Sequence, residues 1–439
     1  MERLLLGLGT PAFATTWPAR VSITTMSPHT TIWTIAAVAT AGVIIRPFNW
    51  PEAVWAVTGA VLLVMSGLLS PGDALIGIAS GTDVYLFLAG MMLLAEIARH
   101  EGLFDWLAVV ATTWAGGSAS RLFLLIYVVG TLVTIFLSND ATAVVLTPAV
   151  AAAVKAAKVR RPLPYLLICA FVANAASFVL PISNPANLVV YGSRVPPLAQ
   201  WFPRYLLPSV LAITATYLML HWTQRRELEQ GLAAAMPLPK LSGGGKTAAA
   251  GIAATAIALL ASSALDIQLG LPTFVAGTLS AAVVLIRTRT GPWTIVKDIS
   301  WGVLPLVAGL FVLVQALDRT GLIAAISMPL RGDAGMPTAW GIGVGIAFAT
   351  NLVNNLPAGL IAGSAVQNAH ASDIITRAIL IGVDLGPNLS VTGSLATILW
   401  LTALRREGQS IGALKFVRLG FCVMLPALLL ALGTAFMFD

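Results

Sequence analysis

Apolar segments of helix length alternate with short polar stretches along the whole chain. They fall at about 31–45, 52–69, 84–98, 103–114, 121–137, 141–154, 164–180, 187–192 and 204–221, and then at about 247–264, 270–286, 301–317, 321–330, 338–350, 356–366, 374–386, 395–404 and 414–437. The longer segments predict helices that cross the roughly 30 Å of hydrocarbon in a bilayer. Several segments are too short to cross, which is typical of broken helices and re-entrant hairpins.

Composition supports a membrane protein and excludes other classes. Hydrophobic residues make up 58% of the 439 residues, charged residues make up only 10%, and the mean hydropathy is +0.89. A soluble domain carries about 25% charged residues, so a soluble enzyme, a disordered chain and a nucleic-acid binder are excluded. Separate helix-length segments predict an all-α polytopic protein in a lipid bilayer, and not a barrel of strands with alternating polarity.

A polar stretch divides the chain into two similar halves. We predict an N-terminal segment over 1–30, a first repeat over 31–221, a linker over 222–246 and a second repeat over 247–439. Three short motifs recur in the same order in both halves: Leu88-Ala89-Gly90 with Val307-Ala308-Gly309, Leu137-Ser138-Asn139-Asp140 with Leu352-Val353-Asn354-Asn355, and Ser183-Asn184-Pro185 with Gly393-Ser394-Leu395. Together they indicate a duplicated unit.

The positive charges orient the two halves. The loop over 155–161 carries four bases, whereas its counterpart over 366–377 carries one, Arg377. Lys and Arg collect in cytoplasmic loops, so the uneven pairs predict inverted topology, with each half crossing in the opposite sense. We expect about ten crossings, two re-entrant hairpins and two broken helices, with the linker in the cytoplasm and both termini outside. The net charge of +7 then reflects orientation, and not an acidic partner.

Four polar interruptions of apolar segments are the candidate substrate site. They lie at 138–140, 181–187, 351–357 and 386–394. Non-helical backbone at membrane depth persists only where it lines a cavity inside the protein, although proline kinks and interhelical hydrogen bonds are an alternative for any one of them. The predicted substrate-binding residues are Ser138, Asn139, Asn184, Asn187, Asn351, Asn354, Asn355, Asn388, Thr392 and Ser394.

Three acids within apolar stretches are the candidate proton-coupling groups: Asp140, Asp384 and Glu96. A carboxylate inside the membrane is costly to keep ionised, so it can alternate between protonated and ionised forms. Glu96 has an alternative, because Arg99 lies one helical turn away and the two can form an ion pair. The four interruptions contain no Lys or Arg, and the sequence has no Walker A or metal-binding motif. We therefore predict no enzyme activity, no cofactor and no metal site.

These motifs resemble those of the arsenical pump membrane protein (ArsB) family of the ion-transporter superfamily. The resemblance is carried by residues 137–148, 174–194, 351–357 and 386–396, and it extends over about 30–437. It implies proton-driven export of arsenite and antimonite, as uncharged trihydroxides, from the bacterial cytoplasm across the inner membrane. Some members of the family work with a soluble ArsA-type ATPase, which makes such an ATPase a candidate partner.

One departure from the wider superfamily affects the choice of coupling ion. Symporter relatives carry Ser-Asn-Thr at the hairpin tips, whereas here Asp140 takes the Thr position and Asn354-Asn355 replaces it in the other half. This favours protons over sodium. Two alternatives remain open: a sodium/proton antiporter of the same architecture, and a passive metalloid channel. Comparing growth under arsenite with growth under sodium stress distinguishes the arsenite exporter from the sodium/proton antiporter. Proton dependence of transport in vesicles distinguishes it from the channel.

The topology gives a direct prediction for the linker. A cysteine introduced by Ser242→Cys should resist an impermeant thiol reagent in whole cells, because the predicted linker faces the cytoplasm. The same cysteine should react in inverted vesicles. Labelling from outside in intact cells would overturn the orientation.

Overall fold

The computed structural model describes residues 27–231, 240–331 and 335–437. Within these residues the protein is helical, and the strand-type pairing consists of one isolated bridge between Ser118 and Gly231. The predicted all-α polytopic membrane fold is therefore confirmed. The predicted N-terminal segment lies almost wholly outside the described residues.

Helices of the first half run in chain order from α1 to α11. They are α1 (Pro28–Ile45), α2 (Glu52–Met65), α3 (Pro71–Ser80), α4 (Thr82–His100), α5 (Leu103–Trp114), α6 (Ala119–Phe136), α7 (Asn139–Ala141), α8 (Thr147–Ala156), α9 (Leu163–Ala175), α10 (Pro185–Tyr191) and α11 (Leu198–Gln224). A π-helical turn, Thr142–Leu146, joins α7 to α8, and 3-10 turns occupy Pro47–Asn49, Pro181–Ser183 and Gly192–Arg194.

Helices of the second half run from α12 to α21. They are α12 (Gly243–Ala264), α13 (Gly270–Thr288), α14 (Trp293–Val296), α15 (Val303–Arg319), α16 (Leu322–Ser327), α17 (Met336–Val353), α18 (Asn355–Ala369), α19 (Asp373–Leu385), α20 (Leu395–Arg406) and α21 (Ala413–Ala435). 3-10 turns occupy Met328–Leu330 and Gly386–Leu389. The helix α12 begins at Gly243 and is capped by the Ser242 hydroxyl, within the predicted linker 222–246.

Seven described helices are long and apolar enough to cross a membrane: α1, α6, α11, α12, α13, α17 and α21. Two bent pairs raise the number to nine, α3 with α4 at 49° and α15 with Leu322–Leu330 at 79°. The predicted ten crossings count these helices differently. In that count α6 and α17 belong to the hairpins and are not crossings. The 14-residue α2 and the two broken helices, α9 with α10 and α19 with α20, are counted as crossings instead.

Matching corners occur in the two halves. The corner between α4 and α5 is Gly102, with φ of 71°, and the corner between α15 and α16 is Gly321, with φ of 78°. Both are left-handed conformations that glycine adopts without steric cost. Gly102 follows Gly90 of the first motif pair at the same spacing at which Gly321 follows Gly309, so this part of the repeat has the same local geometry in both halves.

The linker is anchored at each of its described ends. Gln230 Oε1 accepts hydrogen bonds from the backbone N–H groups of Arg160 and Arg161 at 3.1 and 3.2 Å, and Arg161 forms an ion pair with Glu227 at 2.9 Å. At the other end, the Ser242 hydroxyl donates to the Glu101 carbonyl at 3.3 Å. The chain between the halves therefore contacts both the α8–α9 loop and the α4–α5 corner.

Two glycines allow α4 and α13 to pack backbone against backbone. A Cβ at Gly90 would collide with the carbonyl of Thr273, and a Cβ at Gly277 would collide with the carbonyl of Gly90. Small residues at such crossings let membrane helices approach closely, where dispersion contacts replace the missing hydrophobic driving force. This crossing joins the first half of the chain to the second.

Substitution of Gly90 tests this crossing. Gly90→Ala should destabilise the protein by about 1–3 kcal/mol, because the added methyl group meets rigid backbone. The measurement is the thermal unfolding midpoint of the purified protein in detergent. Gly345→Ala in α17, where an added Cβ meets nothing within 4 Å, is the matched control and should leave the midpoint unchanged or raise it. Equal midpoints for the two variants would contradict the close crossing.

Candidate functional site

Each hairpin turns at a buried polar residue with positive φ. Ser138 has φ of 151°, and its hydroxyl accepts from the Ala141 N–H at 3.3 Å. Asn354 has φ of 72°, and its Oδ1 accepts from the Leu356 N–H at 3.4 Å. Each residue thereby caps the returning helix. Ser138 thus corresponds to Asn354 in the structure. The sequence motifs paired Ser138 with Val353, one position earlier.

Asp140 follows the first tip and leaves its carboxylate free. Its N–H donates to Asn139 Oδ1 at 2.9 Å, but its carboxylate accepts no hydrogen bond from any described residue. An acid beside a helix start can serve as its cap, but here Ser138 caps the helix. The carboxylate is therefore available for chemistry.

Asp140 lines a cavity of about 580 Å³, which we call the Asp140 cavity. Its charged and polar lining comprises Glu96, Arg99, Ser138, Asp140, Lys297, Asp298, Ser300 and Arg406, and Pro185 of the first broken helix also lines it. The cavity thus brings the first hairpin tip, α4 and the end of α20 together. Three of its lining residues are basic and three are acidic.

Glu96 is engaged in an ion pair on the wall of this cavity. Both of its oxygens accept from the Arg99 guanidinium, which also pairs with Asp298 at 3.1 Å. The ion pair is the alternative that the spacing of Glu96 and Arg99 suggests. Because Asp298 belongs to the second half, this cluster also joins the two halves.

The first broken helix is interrupted between α9 and α10 and is closed by two asparagines. Asn184 Oδ1 accepts from the Ala186 N–H at 3.0 Å and so caps α10. Asn187 Nδ2 donates to the carbonyls of Ser177, Leu180 and Pro181 at 2.8, 3.3 and 3.3 Å. The free carbonyls of the break are thereby satisfied from within, as buried backbone requires.

The second broken helix is interrupted between α19 and α20 and is held by the second hairpin. Asn351 Nδ2 donates to the Gly386 carbonyl at 3.0 Å, and Asn351 Oδ1 accepts from the Ser390 hydroxyl at 2.7 Å. The Thr392 hydroxyl donates to the Asn351 carbonyl at 3.1 Å.

The second tip itself continues this contact with the break. The Asn355 N–H donates to the Gly393 carbonyl at 2.8 Å, and Asn354 Nδ2 donates to the Thr392 carbonyl at 3.3 Å. Ser394 caps α20 through the Thr397 N–H at 3.1 Å. Five predicted residues of the second half are thus assembled in one place: Asn351, Asn354, Asn355, Thr392 and Ser394.

The two breaks contact each other in the core of the protein. Asn184 Nδ2 donates to Asp384 Oδ1, and Asn174 Nδ2 donates to Asn388 Oδ1 at 3.0 Å. Asn388 in turn donates to the Phe171 carbonyl at 3.1 Å. Asn174 is absent from the predicted site residues, although it begins the 174–194 motif. A polar residue inside an otherwise apolar helix is the signal that marks it.

Four buried side-chain oxygens at these breaks and tips accept no hydrogen bond from the described residues. They are Asn174 Oδ1, Asn187 Oδ1, Asn355 Oδ1 and Asp384 Oδ2. Leaving such an atom without a partner costs about 1–3 kcal/mol. All four are acceptors, so the centre of the protein is short of hydrogen-bond donors.

A second cavity of about 540 Å³, which we call the Gln315 cavity, lies beside α10, α15 and α18. Among its lining residues are Leu188 and Val189 of α10 and Leu360 of α18, and the tip residues Asn354 and Asn355 do not line it. The two cavities therefore differ, because the Asp140 cavity reaches its hairpin tip and the Gln315 cavity does not.

Known proteins resemble this chain over most of its length. The family model described as CitMHS, Citrate transporter, matches residues 35–383. The arsenical pump membrane protein of Escherichia coli K12 is 27% identical over 396 residues, covering 86% of this chain and 92% of its own. That of Yersinia enterocolitica is 27% identical over 395 residues, with coverages of 85% and 90%.

Two further matches concern an uncharacterized relative and a solved structure. An uncharacterized transporter of Mycobacterium tuberculosis H37Rv is 25% identical over 397 residues, covering 86% of this chain and 91% of its own. The crystal structure of the Alcanivorax borkumensis YdaH transporter aligns with a TM-score of 0.55 at 14% identity, covering 93% of this chain and 97% of that one. At that identity the match shows a shared fold.

Proposed function

Since the chain belongs to the citrate transporter (CitMHS) family, we propose that it exports arsenite and antimonite from the bacterial cytoplasm by proton-coupled alternating access. Its relatives confirm the coarser expectations: a multi-pass transporter of the bacterial inner membrane, akin to arsenical pump membrane proteins, and not an enzyme. The solute, the proton coupling and the alternating-access mechanism are what we propose.

The excess of buried acceptor oxygens is the observation that carries the proposal. As(OH)₃ and Sb(OH)₃ are uncharged and present three O–H donors each. A solute of this kind can donate to oxygens such as Asn187 Oδ1, Asn355 Oδ1 and Asp384 Oδ2, which accept nothing from the described protein. Such donors would offset part of the desolvation cost of burying these oxygens.

The absence of basic residues from the four interruptions supports an uncharged solute. Sites for carboxylate or phosphate groups typically use Arg or Lys, with Arg forming paired hydrogen bonds. The oxygens at the breaks would repel an anion. The uncharged trihydroxide avoids this repulsion and brings its own donors.

A second candidate solute is a small carboxylate, which the family description suggests and one observation favours. Lys297 and Arg406 line the Asp140 cavity and form no ion pair with the described residues. A carboxylate could bind there, near the tip of the first hairpin. The sodium/proton antiporter also remains an alternative, because Asp140 and Asp384 could serve either cycle.

The two cavities support alternating access. If the basic residues of the Asp140 cavity face the cytoplasm, as the charge distribution predicts, this cavity leads from the cytoplasm to the first hairpin tip. The Gln315 cavity then leads from outside and stops short of the second tip. In this arrangement only the first hairpin tip is accessible from a cavity. In the inverted repeat that we propose over 31–221 and 247–439, the outward-facing state would make the second tip accessible instead.

Asp140 and Asp384 are the proposed proton carriers. Asp140 faces the Asp140 cavity without a partner, and Asp384 is fully buried with one oxygen held by Asn184. In the proposed cycle, protonation from outside accompanies solute release, and deprotonation inside accompanies loading. Glu96 is a weaker choice because both of its oxygens already accept hydrogen bonds from Arg99. An ArsA-type ATPase remains a proposed partner.

Arsenite uptake into inverted vesicles, with and without an imposed pH gradient, tests the function. Uptake should depend on the gradient. Arsenate or succinate at equal concentration should leave uptake unchanged, because the four interruptions contain no basic residue to hold an anion. Competition by succinate would favour the carboxylate candidate instead. Uptake that is independent of pH would favour a channel, and stimulation by sodium would favour sodium coupling.

Asp140→Asn separates a proton carrier from a structural residue. This substitution keeps the shape of the side chain and removes its titration, so pH-driven uptake should fall to background while downhill arsenite exchange persists. Helix capping should not change, because Ser138 supplies the cap. Uptake by vesicles under a pH gradient is the measurement, and Asp105→Asn in α5 is the matched control.

Ser138→Ala provides the complementary control for this experiment. It should destabilise the protein by about 0.5–2 kcal/mol through loss of the cap, while leaving the pH dependence of transport in place. Nearly normal pH-driven uptake by Asp140→Asn would remove Asp140 from the proton pathway. Asp384→Asn would then be the remaining test of a carboxylate carrier.

A further inference from the structure

The Gln315 cavity is lined by many polar side chains. Its acid and amide side chains, with one serine, come from three helices and one connecting residue: Asp83 of α4, Gln315 and Asp318 of α15, Ser364, Gln367 and Asn368 of α18, and Gln268 just before α13. Apolar residues of α10, such as Leu188 and Val189, complete the wall. The polar groups therefore converge from separate parts of the chain.

Most of these groups are free to bind a ligand. Gln315, Ser364 and Gln367 form no side-chain hydrogen bond with the described residues, and the same holds for Gln268 and Asn368. By contrast, the neighbouring hydroxyls of Ser80 and Thr82 donate to the carbonyls of Gly77 and Ala79. A carboxamide offers both donors and acceptors, so the free set matches a solute that also has both.

The electrostatics of the Gln315 cavity differ from those of the Asp140 cavity. The Gln315 cavity is lined by two carboxylates, Asp83 and Asp318, and by no basic residue. The Asp140 cavity has three basic residues beside its three acids. Like charges disfavour an approaching anion, and most strongly in a cleft with apolar walls. The Gln315 cavity should therefore exclude anions and admit neutral solutes.

From these observations we infer that the Gln315 cavity is a second solute-binding site, separate from the buried centre, which takes a small uncharged polyhydroxy solute and rejects anions. The inference rests on the proposed export of a neutral trihydroxide. In that cycle the site would hold the solute on the side opposite to the Asp140 cavity, before it leaves the protein. Carboxamides of Gln315 and Gln367 bind the hydroxyl groups, and Asp318 sets the charge preference.

Equilibrium dialysis of the purified full-length protein with radiolabelled arsenite tests the inference. The wild-type protein should bind two equivalents per chain. The double variant Gln315→Leu/Gln367→Leu should bind one with unchanged affinity and the second about tenfold or more weakly, since it loses two amide partners. Gln409→Leu, which lies outside the cavity, is the matched control and should bind two.

A charge variant provides a gain of binding that structural damage would not produce. Asp318→Lys should create binding of inorganic phosphate, which the wild-type protein should not bind at this cavity, because it replaces a repelling carboxylate with an ammonium group. The Gln315→Leu/Gln367→Leu changes made in the same chain should reduce that binding. No phosphate binding by Asp318→Lys would contradict the assigned charge role.

The outcomes separate this inference from the proposed function. One equivalent of arsenite in both the wild-type protein and the double variant would overturn the second site and leave arsenite export standing. No arsenite binding by any variant would overturn the proposed function. Boric acid, a neutral trihydroxide without arsenic, then tests the cavity by itself: binding that the double variant weakens supports the site, and binding that it leaves unchanged overturns it.

Discussion

Every backbone break at membrane depth needs a hydrogen-bonding partner from the protein, and this constraint organises the centre of the molecule. Each unpaired group would cost several kcal/mol in hydrocarbon. Asn187 satisfies the first break from within, and Asn351 of the second hairpin satisfies the second break. The breaks then join through Asn174 and Asn388. The site thus exists only where the two halves of the chain meet.

The sequence predicts the local features well, because they depend on hydrophobicity and on Pro and Gly positions. The apolar segment at 103–114 is the helix α5, and the interruptions at 181–187 and 386–394 contain the observed 3-10 turns. Short helices behave less simply. The segment at 321–330 is α16 followed by a 3-10 turn, at a bend of 79° from α15. Length alone could not distinguish a bent pair from two crossings.

Long-range contacts are the part that sequence reasoning could not supply. The bond between Asn174 and Asn388 joins residues 214 positions apart, and no periodicity links them. The tip pairing was wrong by one position because it followed residue types, whereas the backbone aligns the cap residues Ser138 and Asn354. The basic residues Lys297 and Arg406 lie outside all four motifs, and only folding brings them to the cavity of Asp140.

The glycine crossing of α4 and α13 limits where the molecule can move. A contact between two backbones has no side-chain torsions through which to adjust, so the spacing of these helices at Gly90 and Gly277 is fixed by atomic radii. The wall of the Asp140 cavity is different in kind, since Met91 and Met92 line it and unbranched thioether chains change shape at little cost. A rigid crossing and a compliant wall lie on the same helix, α4. Displacements that open or close the cavity would therefore be taken up by the methionine side chains, while the glycine crossing stays fixed.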